Sequence, residues 1–129
     1  MNVVDSSGWL EYFANGPNAD FFAPAIEDPT ILIVPSISIF EVFKRVWQKR
    51  SESDALQAVA LMQQGQIIDL NLSIALKAAK VSIDFKLPLA DSIILATSLA
   101  NNATLWTQDS DFDGLPSVQY KPKVNGTVT

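Results

Sequence analysis

The sequence predicts an α/β domain built on a central, mostly parallel sheet of four to five short strands, with helices flanking the sheet. Short, β-branched segments alternate with longer segments of helical periodicity, as in proteins whose parallel strands are covered by helices. The chain has 129 residues, of which 48% are hydrophobic and 18% are charged, which is enough for one packed core. We therefore expect a single domain over residues 1–129, with a loose tail at about 122–129.

The first half of the chain alternates two strands with three helices. The segment NVV at 2–4 is a short buried strand, and SSGWLEYFAN at 6–15 is a helix with a serine cap. DFFAPAIE at 20–27 is a second, shorter helix. TILIV at 30–34 is a β-branched strand, and SIFEVFKRVWQKR at 38–50 is a helix.

The second half continues the same alternation and adds two consecutive helices. Gly65 closes the first helix of this half, and Pro88 stands where the last helix begins. The strands are short and apolar, and the last of them is the weakest. The predicted helices cover residues 53–64, 73–85 and 89–102, and the predicted strands cover residues 67–70, 103–107 and 117–121.

The residue types that are missing restrict the chemistry. The chain contains no cysteine and no histidine. This composition excludes thiolate nucleophiles, zinc sites built from cysteine or histidine, and every mechanism with a histidine acid or base. Any bound metal would have oxygen ligands, which points to Mg²⁺ or Mn²⁺. The formal net charge of −5 gives no sign of an ordinary basic nucleic-acid binder, but it suits a protein that concentrates acids at one site.

Four acids stand where a parallel sheet brings ligands together. Asp5 ends the first predicted strand, and Asp109 follows the strand ATLWT by one residue. Glu41 and Asp91 each lie near the start of a predicted helix. Ligands of such folds bind beyond the carboxyl ends of the strands. Because crowded carboxylates repel one another unless protons or cations intervene, this convergence predicts a metal site.

Each of these acids also has a local explanation. Asp5 could cap the following helix. Ser38 and Glu41 fit the S-x-x-E capping box. Asp91 could favour a helix N-terminus through the helix dipole. These roles do not require the acids to converge, whereas a metal site does.

The acids at alternate positions 109, 111 and 113 have two further interpretations. One is an ordinary turn rich in aspartate. The other is a calcium-binding loop, because DSDFDG matches the opening of the EF-hand pattern. That pattern requires a glutamate at its twelfth position, where this chain has Tyr120, and the flanking segments are predicted strands. We therefore reject the EF-hand interpretation.

Three segments resemble one protein family. VVDSSGWLEYF at 3–13, PSISIFEVFKR at 35–45 and LPLADSIILATSLANNATLWTQDSDF at 87–112 are similar to the characteristic segments of PIN-domain ribonucleases. The similarity is specifically to the VapC type of toxin from bacterial toxin–antitoxin pairs. It runs from about residue 2 to residue 120, with similar length and element order, and it implies a single PIN-like domain.

The resemblance implies roles for individual acids. Asp5, Glu41, Asp91 and Asp109 match the family's catalytic acids, and Asp5, Asp91 and Asp109 would hold the Mg²⁺ or Mn²⁺ ion. In this family, such acids direct water onto an RNA phosphodiester. The divalent metal is then the cofactor of an endoribonuclease. The residues that the resemblance marks as supporting the site are Ser6, Thr107 and Asp111.

Two positions depart from the family pattern. Position 108 is glutamine, where many relatives carry a basic residue, and position 98 is serine, where alanine is commoner. The first departure bears on RNA affinity. Basic residues do follow Glu41 on its helix, and Lys44, Arg45 and Lys49 are candidates for contact with the RNA backbone. The alternative for them is an ordinary solvated helix face.

The resemblance also implies partners: an RNA substrate, a cognate VapB-type antitoxin and a second copy of the chain in a homodimer. We expect a cytoplasmic protein without a membrane association. The N-terminal segment lacks the basic region of a signal peptide and has an acid at position 5. The apolar segment ILIVPSISIF is too short and too rich in serine to cross a bilayer.

Two other functions fit parts of the sequence. A receiver-type signalling domain would use Asp69 as phosphoacceptor and Lys121, before Pro122, as the lysine of its site. That interpretation leaves Glu41, Asp91 and the Asp109 turn without a role. A PIN-like scaffold that binds partners without catalysis is the other alternative, and the complete set of acids argues against it.

Overall fold

Five short strands form one parallel sheet in the order β3-β2-β1-β4-β5, in a computed structural model that describes residues 1–124. Every neighbouring pair of strands runs parallel, which confirms the predicted α/β class. β1 lies at the centre, with β2 and β3 on one side of it and β4 and β5 on the other. The strands are β1 (Asn2–Val4), β2 (Leu32–Pro35), β3 (Gln66–Ile68), β4 (Thr104–Thr107) and β5 (Val118–Tyr120).

Six helices connect the strands, and side-chain caps fix the start of several of them. Ser51 accepts a hydrogen bond from the Asp54 amide, and Asn71 accepts one from the Ile74 amide. These caps satisfy amide groups that have no partner in the first helical turn. The helices are α1 (Ser6–Phe13), α2 (Ala19–Ile26), α3 (Ser36–Lys49), α4 (Glu52–Met62), α5 (Leu72–Phe85) and α6 (Leu89–Ala100).

The sheet separates two apolar layers, because alternate side chains of a strand point to opposite faces. On β1, Val3 packs into one layer and Val4 into the other. The layer that contains Val3 is built largely from α5 and α6 and includes Leu95. The layer that contains Val4 is built from α1 to α4 and includes Trp9. Helices therefore cover both faces, and the strand ends stay open for a site.

The start of α3 differs from the prediction. The helix begins at Ser36 with Pro35 as its N-cap residue, so Ser38 lies inside the helix. Ser38 is fully buried and does not cap the helix, and the capping-box interpretation of Glu41 is therefore wrong. A proline fits this boundary, because its fixed φ suits the entry to a helix and the preceding strand.

The apolar periodicity of α3 predicts a different buried face from the one observed. The periodic apolar residues of this helix are Phe40, Phe43, Val46 and Trp47. Val42 is completely buried instead, whereas Phe40 is 60% exposed and Trp47 is 48% exposed. Apolar periodicity marks a face of a helix but does not say whether the domain's own core covers that face.

Other boundaries shift by a few residues. A short 3₁₀ turn over Pro29–Ile31 replaces the predicted start of the second strand, and Pro35 is the last residue of β2 rather than its breaker. Periodicity places Phe85 on one face of α5 with Ile74, Ala78 and Val81, and these three are buried whereas Phe85 is exposed. Residues 122–124 form no helix or strand, and the rest of the predicted loose tail lies outside the described residues.

Within residues 1–124, no helix combines the length and the apolar character that a membrane span requires. The longest helices, α3 and α5, have 14 residues each. A span across the hydrocarbon region needs about 20 residues.

The two leucines at positions 95 and 56 test the layer arrangement. Leu95 is fully buried on α6, and Leu56 is 53% exposed on α4. We expect Leu95→Ala to lower the free energy of unfolding by about 2–5 kcal/mol, since it removes core contacts and leaves a cavity. The matched Leu56→Ala change should stay within about 0.5 kcal/mol. Urea unfolding followed by circular dichroism measures both, and equal losses would contradict the assigned burial.

Candidate metal centre

The carboxyl ends of β1 and β4 define the centre of the site. β1 pairs with β2 on one side and with β4 on the other. The strands that follow β1 in sequence are therefore added first on one side of it and then on the other. Ligands of open parallel sheets bind at such a switch point. Asp5 directly follows β1, and one residue separates Asp109 from the end of β4. The amide of Asp5 donates to the carbonyl of Trp106 at 3.1 Å, which fixes the two strand ends side by side.

Asp5 is buried and is held by three hydrogen bonds. Its Oδ1 accepts from the Ser7 hydroxyl at 2.6 Å and from the Gly8 amide at 3.0 Å. Its Oδ2 accepts from the Thr107 hydroxyl at 2.8 Å. A carboxylate offers about four lone-pair positions. Oδ2 therefore keeps one position beyond its contacts with the described residues, while Asp5 also caps α1 as the local interpretation predicted.

The close approach of α1 to its neighbours depends on Gly8. A side chain at this position would place its Cβ 2.6 Å from the Phe22 ring and 2.7 Å from Val4. Such contacts are far inside normal van der Waals separations, so α1 would have to move. Glycine at position 8 thereby allows the amide that binds Asp5 to reach its partner.

Thr107 connects the acid after β1 to the acids after β4. It is fully buried, and its hydroxyl donates to Asp5 Oδ2. The same hydroxyl oxygen accepts from the Asp109 amide at 2.9 Å. Asp109 Oδ1 then accepts from the Asp111 amide at 2.9 Å, which caps a 3₁₀ turn over Ser110–Phe112. The turn predicted for these acids is present, and it orients two of them.

Glu41 reaches the site from α3. Its Oε1 accepts a hydrogen bond from the Ser6 hydroxyl at 2.6 Å. Ser6 lies at the start of α1 and is buried. This contact joins residues that are 35 positions apart in sequence and holds α3 against the end of β1. Ser6 and Thr107 are therefore both in contact with acids of the edge.

Three carboxylates are close enough to share one cation. Asp91, Asp109 and Asp111 each present an oxygen, and these oxygens lie within 4.8 Å of one another. Oxygen ligands bind Mg²⁺ or Ca²⁺ at about 2.0–2.6 Å, so two ligands of one ion are at most about 5 Å apart. Asp91 comes from the first turn of α6, and the other two follow β4. The donor set, all carboxylate oxygen, fits a hard divalent cation.

The electrostatics of Asp91 show that the acids converge. Its pKa is raised from 3.8 to about 7, first by burial and then by the charges of Asp109, Asp5, Asp111 and Glu41. All four other acids of the edge thus act on this one carboxyl group. A like charge nearby disfavours ionisation, and a bound cation would relieve that repulsion.

Asp5 titrates above the ordinary range for a different balance of reasons. Its pKa is raised from 3.8 to about 6, chiefly by burial and to a smaller extent by the charge of Asp109. Hydrogen bonds from Ser7, Gly8 and Thr107 oppose this rise, because they stabilise the charged form.

The basic residues of α3 begin immediately beside this edge. Lys44, Arg45 and Lys49 are exposed. Lys44 and Arg45 line a shallow groove of about 190 Å³ together with Phe40 and Glu41. Lys49 does not line that groove, since it lies one helical turn beyond Arg45. The structure therefore brings two of the three candidate RNA contacts next to an acid of the site.

A buried polar network beside the site was not apparent from the sequence. Gln108 accepts a hydrogen bond from the Asn18 side chain at 3.1 Å and donates to the Ser7 carbonyl at 3.4 Å. The Asn18 side chain also donates to the Pro122 carbonyl, and the backbone amide of Asn18 donates to the Glu11 carboxylate. Asn18 and Gln108 are 90 positions apart, so no local pattern links them. Gln108, where many relatives carry a basic residue, is therefore a buried side-chain amide and not a surface group.

Ser98, the other departure, is also buried. Its hydroxyl donates to the Ala103 carbonyl at 3.1 Å, within the turn that joins α6 to β4. The position is therefore structural and lies away from the acids.

The structure fits neither a calcium-binding EF-hand loop nor a receiver-type phosphoacceptor site. The acidic turn lies between the strands β4 and β5. An EF-hand loop lies between two helices, so the rejection of that interpretation is confirmed. Asp69 follows β3 and Lys121 follows β5, and these are the two opposite edge strands. Four strand spacings of about 4.8 Å separate them, which is too far for a shared phosphoacceptor site.

The parallel sheet and the carboxylates at the β1–β4 edge define a single α/β domain with an acidic site at its switch point. The PIN domain family model matches residues 3–117, and the chain belongs to this family. The family assignment made from the sequence is therefore confirmed. Comparison with curated proteins finds no sequence match.

Solved structures of toxin–antitoxin proteins share this fold. A toxin–antitoxin complex from Klebsiella pneumoniae superposes with a TM-score of 0.78 and 24% identity, covering 92% of this chain and 96% of that one. The sarcin–ricin loop cleaving toxin VapC20 from Mycobacterium tuberculosis gives 0.75 and 13%, covering 92% and 97%. VapBC2 from Rickettsia felis, bound to a promoter DNA fragment, gives 0.72 and 15%, covering 94% and 97%. The chain therefore has the fold of a VapC toxin.

The raised pKa of Asp91 predicts a pH-dependent stability. Between pH 3.8 and about 7 the unfolded chain ionises this group while the folded chain keeps it protonated, so folding loses stability as the pH rises through this window. Asp91→Asn removes the penalty. In EDTA, we expect the variant's advantage in thermal midpoint over wild type to grow from about pH 4 to about pH 7 and then level off.

Asp113→Asn provides the matched control, because Asp113 is exposed and lies outside the three-carboxylate group. Its difference from wild type should not change over the same pH range. An Asp91→Asn advantage that is constant with pH would show that the pKa of Asp91 is not raised in the folded chain.

Proposed function

We propose that this chain is a divalent-metal-dependent endoribonuclease and the toxin of a toxin–antitoxin pair. The observation that carries the proposal is the group of Asp91, Asp109 and Asp111 at the β1–β4 edge, with Asp5 and Glu41 beside it. The family membership and the fold shared with VapC toxins support the same function.

Asp5, Asp91 and Asp109 hold Mg²⁺ or Mn²⁺ in this proposal, and Asp111 joins them. Asp91, Asp109 and Asp111 supply oxygens within 4.8 Å of one another. Asp5 contributes through Oδ2, since both lone pairs of its Oδ1 already accept hydrogen bonds from Ser7 and Gly8. When bound, the ion neutralises charge on the phosphoryl oxygens and activates water for phosphodiester hydrolysis.

The remaining residues orient the carboxylates and the substrate. Thr107 and Ser6 restrain Asp5 and Glu41 through short hydrogen bonds, so that little reorganisation is needed when substrate arrives. Glu41 lies at the edge as a further ligand or as an acceptor that orients water. Lys44, Arg45 and Lys49 contact the RNA backbone, and their charges attract a polyanion toward an acidic site.

A scaffold that binds partners without catalysis is the alternative from another class. It would not need a carboxyl group whose pKa is raised to about 7 by burial and by the charges of four neighbouring acids. Keeping such a cluster without a cation has an electrostatic cost. The catalytic proposal accounts for the cluster, and the scaffold does not.

The first test removes single carboxylates. Asp91→Asn and Asp109→Asn should each lower the rate of RNA cleavage with Mn²⁺ by at least about a hundredfold, because loss of a ligand removes about 3 kcal/mol or more of transition-state stabilisation. EDTA should abolish cleavage, and added Mn²⁺ should restore it. A fluorogenic RNA measures the rates.

Asp113→Asn should cleave at the wild-type rate, and circular dichroism should show all variants folded. Cleavage that persists in EDTA, or both site variants cleaving normally, would contradict the proposed site.

The second test concerns the ends of the products. A chain without histidine lacks the usual acid–base pair that drives the RNA 2′-OH onto its own phosphate. Hydrolysis by water should instead leave a 5′-phosphate and a 3′-OH. Poly(A) polymerase should therefore extend the upstream fragment without phosphatase treatment.

An RNA with a single 2′-deoxynucleotide at the cleaved position serves as the control. It should still be cut, because the 2′-OH has no role in the chemistry. Fragments that resist extension until a 3′-phosphate is removed would exclude hydrolysis by water at this site.

The proposed partners are a VapB-type antitoxin and a second copy of the chain. Several of the compared structures are toxin–antitoxin complexes, which supports an antitoxin. The exposed apolar residues of α5, Leu72, Leu76 and Ile83, are 76%, 66% and 78% exposed and support self-association. Large exposed apolar surfaces on a domain mark sites of protein contact.

Both partners can be tested in cells and in solution. Expression of this chain should stop growth, co-expression of the small gene beside it should restore growth, and light scattering should give the mass of a dimer. Leu76→Glu should reduce that mass to the monomer's, since it buries a charge in the interface. Harmless expression with no bound product would remove the toxin assignment, and a wild-type monomer would remove the homodimer.

A further inference from the structure

A groove on α3 adjoins the acidic edge and combines aromatic, cationic and amide groups. Phe40, Glu41, Lys44, Arg45 and Gln48 line it, and its volume is about 190 Å³. We call it the Phe40 groove. Glu41, which accepts the Ser6 hydrogen bond at the end of β1, forms part of its wall. The groove is therefore continuous with the proposed catalytic edge.

Phe40 is exposed in a way that the domain itself does not explain. The side chain is 60% exposed, and it stands one residue before Glu41 on a helix whose opposite face packs against α4, α1 and α6. The Lys44 ammonium lies 5.8 Å from the centre of the Phe40 ring. An aromatic face and a cation are thus presented together at the mouth of the groove.

The cations of the groove are not neutralised within the described chain. Four of the nine basic residues, including both arginines, occur between positions 44 and 50 of a chain with a net charge of −5. Across residues 1–124, the single ion pair joins Lys80 to Asp84, away from α3. Lys44 and Arg45 therefore remain available to an anionic ligand.

We infer that the Phe40 groove is a nucleotide subsite for single-stranded RNA. A base stacks on the Phe40 ring, and the phosphates beside it contact Lys44 and Arg45. The Gln48 amide offers both a donor and an acceptor to the edge of the base. Single-strand binding sites in general combine aromatic stacking with a positive groove. The assignment rests on the proposed ribonuclease function and adds where a base is held.

The composition of the groove favours a nucleotide over a protein helix. A docked amphipathic helix needs an apolar trough. The adjoining depression shares Phe40, Lys44 and Gln48 with the groove, adds Phe43 and Trp47, and is of that apolar kind. The Phe40 groove itself has two cations, a carboxylate and an amide around one ring.

The test separates the aromatic ring from apolar bulk. Phe40→Leu removes the stacking surface but keeps an apolar side chain, and Phe40→Trp restores a ring. Phe85→Leu is the matched control, because Phe85 is also exposed and lies on α5. Each change is made in the Asp91→Asn chain with Mg²⁺, and fluorescence anisotropy measures the affinity for a labelled single-stranded RNA.

Phe40→Leu should weaken RNA binding by about tenfold, within the range known for base–aromatic stacking. Phe40→Trp and Phe85→Leu should bind like the parent. In the chain with Asp91 intact, Phe40→Leu should raise KM for RNA cleavage and leave kcat nearly unchanged, as expected for uniform binding.

RNA affinity that is unchanged in Phe40→Leu overturns the subsite. If that variant instead changes the sedimentation of the chain alone, or loses the product of the neighbouring small gene, the groove is a protein contact and the inference is wrong. Failure of the ribonuclease proposal is a different result, because the wild-type chain then cleaves no RNA with Mn²⁺ whatever residue stands at position 40.

Discussion

Repulsion between carboxylates at one edge of the sheet is the constraint on which the site depends. Two strands of a parallel sheet end side by side, and an acid follows each of them. Asp91 comes from a helix to meet them, and its pKa rises to about 7 because burial and four neighbouring acids act on it together. A fold that keeps such an arrangement gives up stability near neutral pH, and a divalent cation would return it.

Hydroxyl groups make the arrangement specific. Thr107 donates to Asp5 and accepts from the Asp109 amide, so one buried side chain fixes the acids after both strands. Ser6 donates to Glu41 and ties α3 to the start of α1. The carboxylates are therefore held in place before any ligand binds, which is the condition for strong electrostatic stabilisation of a transition state.

The sequence predicted the fold and the position of the acids because both depend on local order. Short β-branched strands that alternate with helices allow few topologies, and residues that follow such strands meet at one edge. Asp5 and Asp109 were identified for that reason. Asp111, included as a supporting residue, lies with Asp91 and Asp109 because of a turn whose geometry depends on the Asp109 cap.

What the sequence could not predict depends on contacts between distant residues. The rotation of α3, which buries Val42 and exposes Phe40, follows from packing against other helices rather than from its own periodicity. The capping box at Ser38 matched a pattern, yet Pro35 started the helix earlier. The network of Asn18 and Gln108 joins positions 90 residues apart and has no signature in either segment.

The most direct test of the metal centre is a crystal of the chain soaked in Mn²⁺, with anomalous scattering recorded to locate the ion. The account predicts an anomalous peak in contact with carboxylate oxygens of Asp5, Asp91, Asp109 and Asp111. The absence of a peak there at saturating Mn²⁺, or a peak only elsewhere on the surface, would contradict the account.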